Sequence, residues 1–188
     1  MESWMNNKLQ TASVASYREA SNLSQKLQKH QAFEAELTAN RGQLDAVIKE
    51  GETVLSSSRG SSEVIETRLK DLKDLWTLLS EMSTNKGQRL QEAIQKQTFE
   101  RNVGDLETWI GEVETVLASD DCGKDLKSVL NLLKKHQLLE SDIAAHEDRV
   151  TEILQQADAF VQADHFMKDE IAERAASVFE RFALSYFM

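Results

Sequence analysis

Four histidines, one cysteine and one acidic loop are the residues whose types could do chemistry in this 188-residue chain. Two imidazoles join one metal ligand set most readily at i, i+4 on a helix. His30, His136, His146 and His165 are dispersed, and even His136 and His146 stand ten positions apart (146 minus 136). They read as seam residues between helices, and half-buried imidazoles there would make a bundle mildly pH-sensitive, a property open to NMR titration. Cys122 sits beside Asp120 and Asp121 with no histidine suggestively placed, a setting that does not favour a thiolate nucleophile. The run Asp120-Asp121-Cys122-Gly123-Lys124-Asp125 resembles a calcium loop only superficially, because an EF-hand needs a glutamate at its twelfth position and Lys124 would oppose the cation. It reads instead as an inter-helix turn whose aspartates cap the next helix. No Walker lysine loop, nucleophile elbow or dinucleotide fingerprint is present. The expectation is a non-enzyme with no cofactor and no metal. Asn22-Leu23-Ser24 formally matches a glycosylation acceptor, which carries no meaning in a cytosolic helix.

The elements that would position these residues follow from composition. With 22 Lys+Arg against 32 Asp+Glu the net charge is -10, which opposes capture by nucleic acid or anionic lipid. Apolar stretches run only a few residues, too short for a membrane span. A single cysteine cannot close an internal disulfide, and no charged n-region with a following apolar run opens the chain, so a reducing, cytosolic setting is favoured. Average usage would supply about nine prolines. There are none, and only seven glycines. Proline removes a helix donor and clashes with the preceding turn, so its absence suits long helices that must not break. Leu, Glu, Lys, Gln and Ala dominate, and no sustained period-2 alternation appears. The chain is expected to be all-α.

Lys29-His30-Gln31 is echoed by Lys135-His136-Gln137 at an offset of 106 (136 minus 30). Reading outward, Ala20, Leu23, Leu27, His30, Phe33, Leu37, Asn40, Leu44, Val47, Gly51 and Val54 fall opposite Leu126, Val129, Leu133, His136, Leu139, Ile143, His146, Val150, Ile153, Ala157 and Phe160. Both runs step by three and four, the spacing of one stripe on a helix and of a seam between helices packed at shallow angles. Both place two threes together at the histidine, a shared departure from the heptad that supports a true repeat. Trp4 and Trp109 lie 105 apart (109 minus 4), so one residue is gained or lost in the loops around Ala12 to Ser16 and Ser119 to Lys124.

The pattern predicts a short helix carrying Trp4, a loop near Thr11 to Glu19, and a long helix from about Ala20 to Ser56. A turn at Ser57 to Ser62 containing Gly60 follows, then an unbroken helix from Glu63 to about Ala118. A second long helix runs from about Asp125 to Gln162, a turn spans Ala163 to Phe166, and a last helix starts near Lys168. In the unbroken helix Ile65, Leu69, Leu72, Trp76 and Leu79 form one seam, and Phe99, Val103, Leu106, Trp109, Val113 and Val116 form another. Gly87 between them costs only about 1 kcal/mol relative to alanine. The expected fold class is therefore all-α, with tandem three-helix left-handed coiled-coil bundles joined by a continuous linker helix into a rod; the expected domains are 1–83, a shared helical linker 84–97, and 98–188. A helix of about 56 residues rises about 84 Å. Trp4, Trp76, Trp109 and Phe182 read as core, each worth roughly 1.5–3 kcal/mol when buried, with His30 and His136 in the seams. Thr84, Asn85 and Gly87 are weak helix formers, so Gly87 is the expected hinge, with Leu90, Gln91 and Ile94 on its firmer side.

These residues resemble spectrin repeats, and more narrowly those of α-spectrin. The stretches that carry the resemblance are Asp105-Leu106-Glu107-Thr108-Trp109, Gly123-Lys124-Asp125-Leu126, Asn131-Leu132-Leu133-Lys134-Lys135-His136 and Ala145-His146-Glu147-Asp148-Arg149, with Leu27 through Leu37 in the first copy. It covers nearly the whole chain. It implies a structural cytoskeletal role: a semi-rigid, extensible spacer of an actin-crosslinking membrane skeleton at the inner face of the plasma membrane. The implied partners are a β-spectrin-like chain lying alongside antiparallel, actin indirectly, and adaptors such as ankyrin, for which no patch is identified. The alternative is a docking module for a partner helical chain or adaptor, to be recognised by an apolar cluster outside both seams. Only Tyr186-Phe187-Met188 comes close to one. A lipid-binding amphipathic bundle would show proline-punctuated repeats and a lysine-flanked apolar face, and this chain shows neither a proline nor a basic balance. The first copy begins only three residues before Trp4 and Met188 aligns with Met82, which reads as a truncated first helix in a piece of a longer array.

Overall fold

The computed structural model describes residues 1–57 and 62–185. Five α-helices follow in order: α1 Glu2–Ser13, α2 Leu23–Ser57, α3 Ser62–Leu117, α4 Leu126–Gln162 and α5 Lys168–Ser185. A single 3-10 turn, Ser16–Arg18, stands between α1 and α2. The turn expected around Gly60 and the terminal Tyr186-Phe187-Met188 group lie outside the described residues. Where a loop was expected from Thr11, α1 continues to Ser13. Thr11 Oγ1 and Ser13 Oγ donate to the carbonyls of Asn7 and Gln10, and Lys86 Nζ donates to the carbonyl of Thr11 at 2.8 Å. Carbonyls at the end of α1 are thereby met without a glycine cap.

The α4 boundaries show how a chain without proline stops its helices. Asp125 caps the N-terminus: its Oδ1 accepts from the Ser128 N–H at 2.7 Å while Ser128 Oγ accepts from the Asp125 N–H at 3.0 Å, a reciprocal box. At the other end Asp164 takes the left-handed conformation, φ 53°, that glycine usually occupies. Its N–H donates to the carbonyl of Val161, and the N–H of His165 donates to that of Phe160, the paired bonds of a Schellman motif. The rings of Phe160 and His165 then meet, centroids 5.1 Å apart, as the apolar contact of that motif. His165 is buried here as part of a helix stop.

The chain divides into two compact units, Met1–Ile94 and Gln95–Met188, and α3 supplies helix to both. In the first, Met5 and Ala12 of α1, Leu37 and Leu44 of α2, and Trp76 and Leu79 of α3 form the core. In the second, Phe99, Val103, Leu106, Ile110 and Val113 of α3 meet Ile143, Val150, Ile153 and Ala157 of α4 and Ile171, Ala175, Val178 and Phe182 of α5. Each is a three-helix bundle.

The expected stripes need correction: Ala20 is exposed and precedes α2, which starts at Leu23, and on α3 Val116 is exposed while Val113 and Leu117 face the core. Val47 and Val54 are exposed, and the partly buried seats go to Ile48 and Leu55. Both Val47 and Ile48 are apolar, so a step of three or of four from Leu44 satisfies the pattern equally, and packing selects four. Gly51 marks the packing that decides it: a Cβ there would stand 2.6 Å from Leu69 Cδ2. At the 106 offset Gly51 and Leu69 become Ala157 and Ala175, both buried in the second core. One unit sets a large residue against none and the other sets two small ones. Leu69→Ala is expected to destabilise the first unit by about 2–3 kcal/mol. Adding Gly51→Ala should recover about 1 kcal/mol or more through helix propensity and cavity filling, against little or no gain from Gly51→Ala alone. A double-mutant cycle in urea checks this, and strict additivity would contradict the size-swap account.

Candidate functional site

In the first unit α2 grips α3 through a buried histidine. His30 Nε2 lies 2.9 Å from the carbonyl oxygen of Ser83, one turn before Gly87. A carbonyl only accepts, so Nε2 carries the hydrogen. The ring also stacks on Phe33, centroids 5.8 Å apart and 19° between planes, and Glu34 Oε1 stands 3.4 Å from Nε2. Gly87 supplies the room: a Cβ there would meet His30 Nε2 at 3.1 Å and Glu34 Oε1 at 3.3 Å. The glycine therefore serves close approach, letting an imidazole seat against helix backbone.

A second device occurs in both units. Trp4 Nε1 donates to Glu36 Oε1 at 3.4 Å, and Trp109 Nε1 donates to Asp142 Oδ2 at 2.9 Å. Glu36 and Asp142 are 106 apart (142 minus 36). Four residues on, Asn40 Nδ2 donates to the Glu36 carbonyl and His146 Nδ1 to the Asp142 carbonyl, each at 2.9 Å. The His146 ring stacks on Trp109, centroids 3.7 Å apart and 12° between planes. Lys8 hydrogen-bonds Glu36, and that bond above all holds the Glu36 carboxyl below its ordinary pKa. Glu114 is likewise lowered, chiefly by hydrogen bonds from Arg181, which grips it with Nη2 at 2.8 Å and Nε at 3.1 Å. The positions matching Glu114 and Arg181 in the first unit are Leu9 and Leu75, both packed against its core. An ion pair in one repeat is an apolar pair in the other, an exchange that partly exposed helix interfaces tolerate.

Among the described residues no group of three or more His, Cys, Asp and Glu could hold a metal ion, and no helix is long and apolar enough to cross a membrane. Cys122 is exposed in the α3–α4 loop. The spectrin repeat, as a family, matches residues 1–92 and again 95–184. This chain belongs to the spectrin-repeat family. The mouse protein named "Spectrin alpha chain, erythrocytic 1" is 39% identical over 184 residues, 97% of this chain and 8% of the relative. Mouse "Spectrin beta chain, erythrocytic" is 35% identical over 154 residues, covering 82% of this chain and 7% of the relative. Human "Spectrin beta chain, non-erythrocytic 5" is 31% identical over 179 residues, covering 95% and 5%. The chain thus spans 8% or less of the length of these relatives. It is a pair of spectrin repeats.

Within these repeats Trp76 and Phe182 are buried, Trp4 and Trp109 are half-buried with indole nitrogens turned to carboxylates, and His30 is buried. His136 is not core: its side chain is 58% exposed and its Nδ1 stands 3.2 Å from Glu140 Oε1. Its first-unit equivalent, His30, is instead buried against Ser83 and Gly87. Leu126, Val129 and Leu133, all expected in the seam, are likewise exposed, at 76%, 44% and 55%. Of the residues assigned to the linker, Gly87 and Leu90 are buried, Ile94 is half-buried and Gln91 is exposed. Missed from sequence were Met5, fully buried, and the carboxylates Glu36 and Asp142. The 105 offset that pairs the tryptophans also pairs Met5 with Ile110, and the 106 offset pairs the carboxylates.

The seat at Gly87 is open to a direct check. Gly104 and Gly111 have nothing within 4 Å of an added Cβ, so alanine at either is expected to stabilise by about 0.5–1 kcal/mol through helix propensity alone. Gly87→Ala should instead destabilise by about 1 kcal/mol or more, because overpacking against a fixed ring outweighs that gain. Urea denaturation of the three variants decides it. Equal stabilisation by all three would mean that His30 is free to move.

Proposed function

We propose that this chain works as a semi-rigid, extensible spacer within an actin-crosslinking spectrin membrane skeleton, carrying load through α3. The observation supporting this reading is that α3 runs from Ser62 to Leu117 as one helix of 56 residues and places side chains in both cores. A helix shared in this way couples the repeats, because melting it removes a packing partner from each. Residues 84–97 are the proposed shared linker between repeats at 1–83 and 98–188, with Gly87, Leu90, Gln91 and Ile94 as the hinge where bending or unfolding begins. The partner in this reading is a β-spectrin-like chain lying alongside and antiparallel; the support for it is that relatives include both a spectrin alpha chain and spectrin beta chains. Attachment to actin would be indirect, and the place of work the cytoplasmic face of the plasma membrane. Docking of an adaptor such as ankyrin through a repeat surface remains the alternative, and no described patch favours it over the spacer.

Gln91 is exposed in mid-helix, so Gln91→Pro removes a backbone donor and clashes with the preceding turn, at about 3 kcal/mol, without removing a core side chain. The parent is expected to melt in one cooperative transition and Gln91→Pro in two, the first at lower temperature, with Gln91→Ala behaving as the parent. Calorimetry reads this. A variant that melted in a single transition at the parental temperature would overturn the shared-helix mechanism.

A further inference from the structure

The end of α1, the 3-10 turn, α2 and α3 enclose a cavity of about 220 Å³ in the first unit, unused by the packing or the linker described above. Its inner wall is apolar and aromatic, made by buried Ala12, half-buried Phe33 and the buried ring of His30. Its rim is cationic, carrying Lys26, Lys29 and Lys86 in a chain whose net charge is -10. Lys26 is occupied, its Nζ bonded to the Ser16 and Glu19 carbonyls and to Glu19 Oε2. Lys29 and Lys86 have no carboxylate within ion-pair distance among the described residues. Among the described residues the Lys86 ammonium meets only the Thr11 carbonyl, and burial pushes its pKa down. An anion arriving at the rim would restore the compensation that burial withholds. A cavity of about 150 Å³ is known to hold a benzene ring, so this one has space for a ring and a small charged head.

We propose that this cavity is a binding site for a small amphipathic carboxylate, with the ring or short alkyl body against Phe33, Ala12 and His30 and the carboxylate paired with Lys86 and Lys29. The chemistry is a charge-assisted hydrogen bond at a partly desolvated ammonium joined to burial of an apolar body. Each half alone is insufficient. Acetate offers only the charge and benzyl alcohol only the body, whereas benzoate offers both.

The probe is benzoate, titrated into the full chain and followed by backbone amide NMR. Saturable shifts centred on Ala12, Lys29, His30 and Lys86 are expected, with acetate and benzyl alcohol each binding at least about tenfold more weakly, the loss expected for one charge-assisted bond or its apolar counterpart. Lys86→Met should weaken benzoate by a similar factor at unchanged helicity. If that variant proves unstable, Lys29→Gln, on an exposed side chain, carries the test with a smaller loss. Benzoate shifts that do not saturate, shifts centred elsewhere, acetate binding as tightly as benzoate, or benzoate affinity unmoved by both variants would each overturn the site.

Discussion

An unbroken ladder of backbone hydrogen bonds along α3 is the constraint on which the other features rest. One helix delivers Trp76 and Leu79 to the first core and Phe99, Val103 and Leu106 to the second, so neither bundle can lose its share of α3 and keep three helices. That requirement accounts for the absence of proline from α3. A proline anywhere in the interior would cost about 3 kcal/mol, and the sequence has none. It also accounts for Gly87, the weakest helix former of the segment, whose missing side chain is filled by the His30 ring while the Ser83 carbonyl accepts from Nε2. The point where propensity falls is the point where α2 holds α3.

Comparison of the two repeats separates geometry from the chemistry used to achieve it. Gly51 with Leu69 becomes Ala157 with Ala175; Leu9 and Leu75 become Glu114 and Arg181; Asn40 becomes His146, with the same helix carbonyl as acceptor. The indole-to-carboxylate bond between first and second helices keeps its chemistry, at Trp4 with Glu36 and at Trp109 with Asp142, and so does the ion pair between first and third helices, at Arg68 with Glu2 and at Arg174 with Glu107. Such exchanges are what a close-packed seam permits when the new pair still fits the contact and leaves no buried polar group unpaired.

Helix existence was legible because three-and-four periodicity without proline leaves little else for the chain to do, and the path of α3 through Gly87 followed from the small cost of one glycine. The α4 stop was legible only as a turn: an aspartate in the left-handed seat, with His165 as the closing contact, carries no signal that propensity alone can rank. Val47 and Ile48 were ambiguous because both are apolar and adjacent, and Leu69 above Gly51 lies too far along the chain for a local pattern to arbitrate. His136 misled for a different reason. Its sequence surroundings match those of His30, but burial needs a covering helix surface, which the local pattern around a residue does not encode. The lysine-rimmed cavity gave no sequence signal, since Thr11, Lys29 and Lys86 come from three separate helices.

Native-state amide hydrogen exchange across residues 84–97 tests the continuity of α3 most directly, because each amide reports whether its own helical bond is closed. The account predicts protection through Gly87 and Gln91 comparable to that of the flanking core turns at 76–83 and 99–106. Exchange of 84–97 at the rates of an open chain, with both flanks still protected, would contradict it.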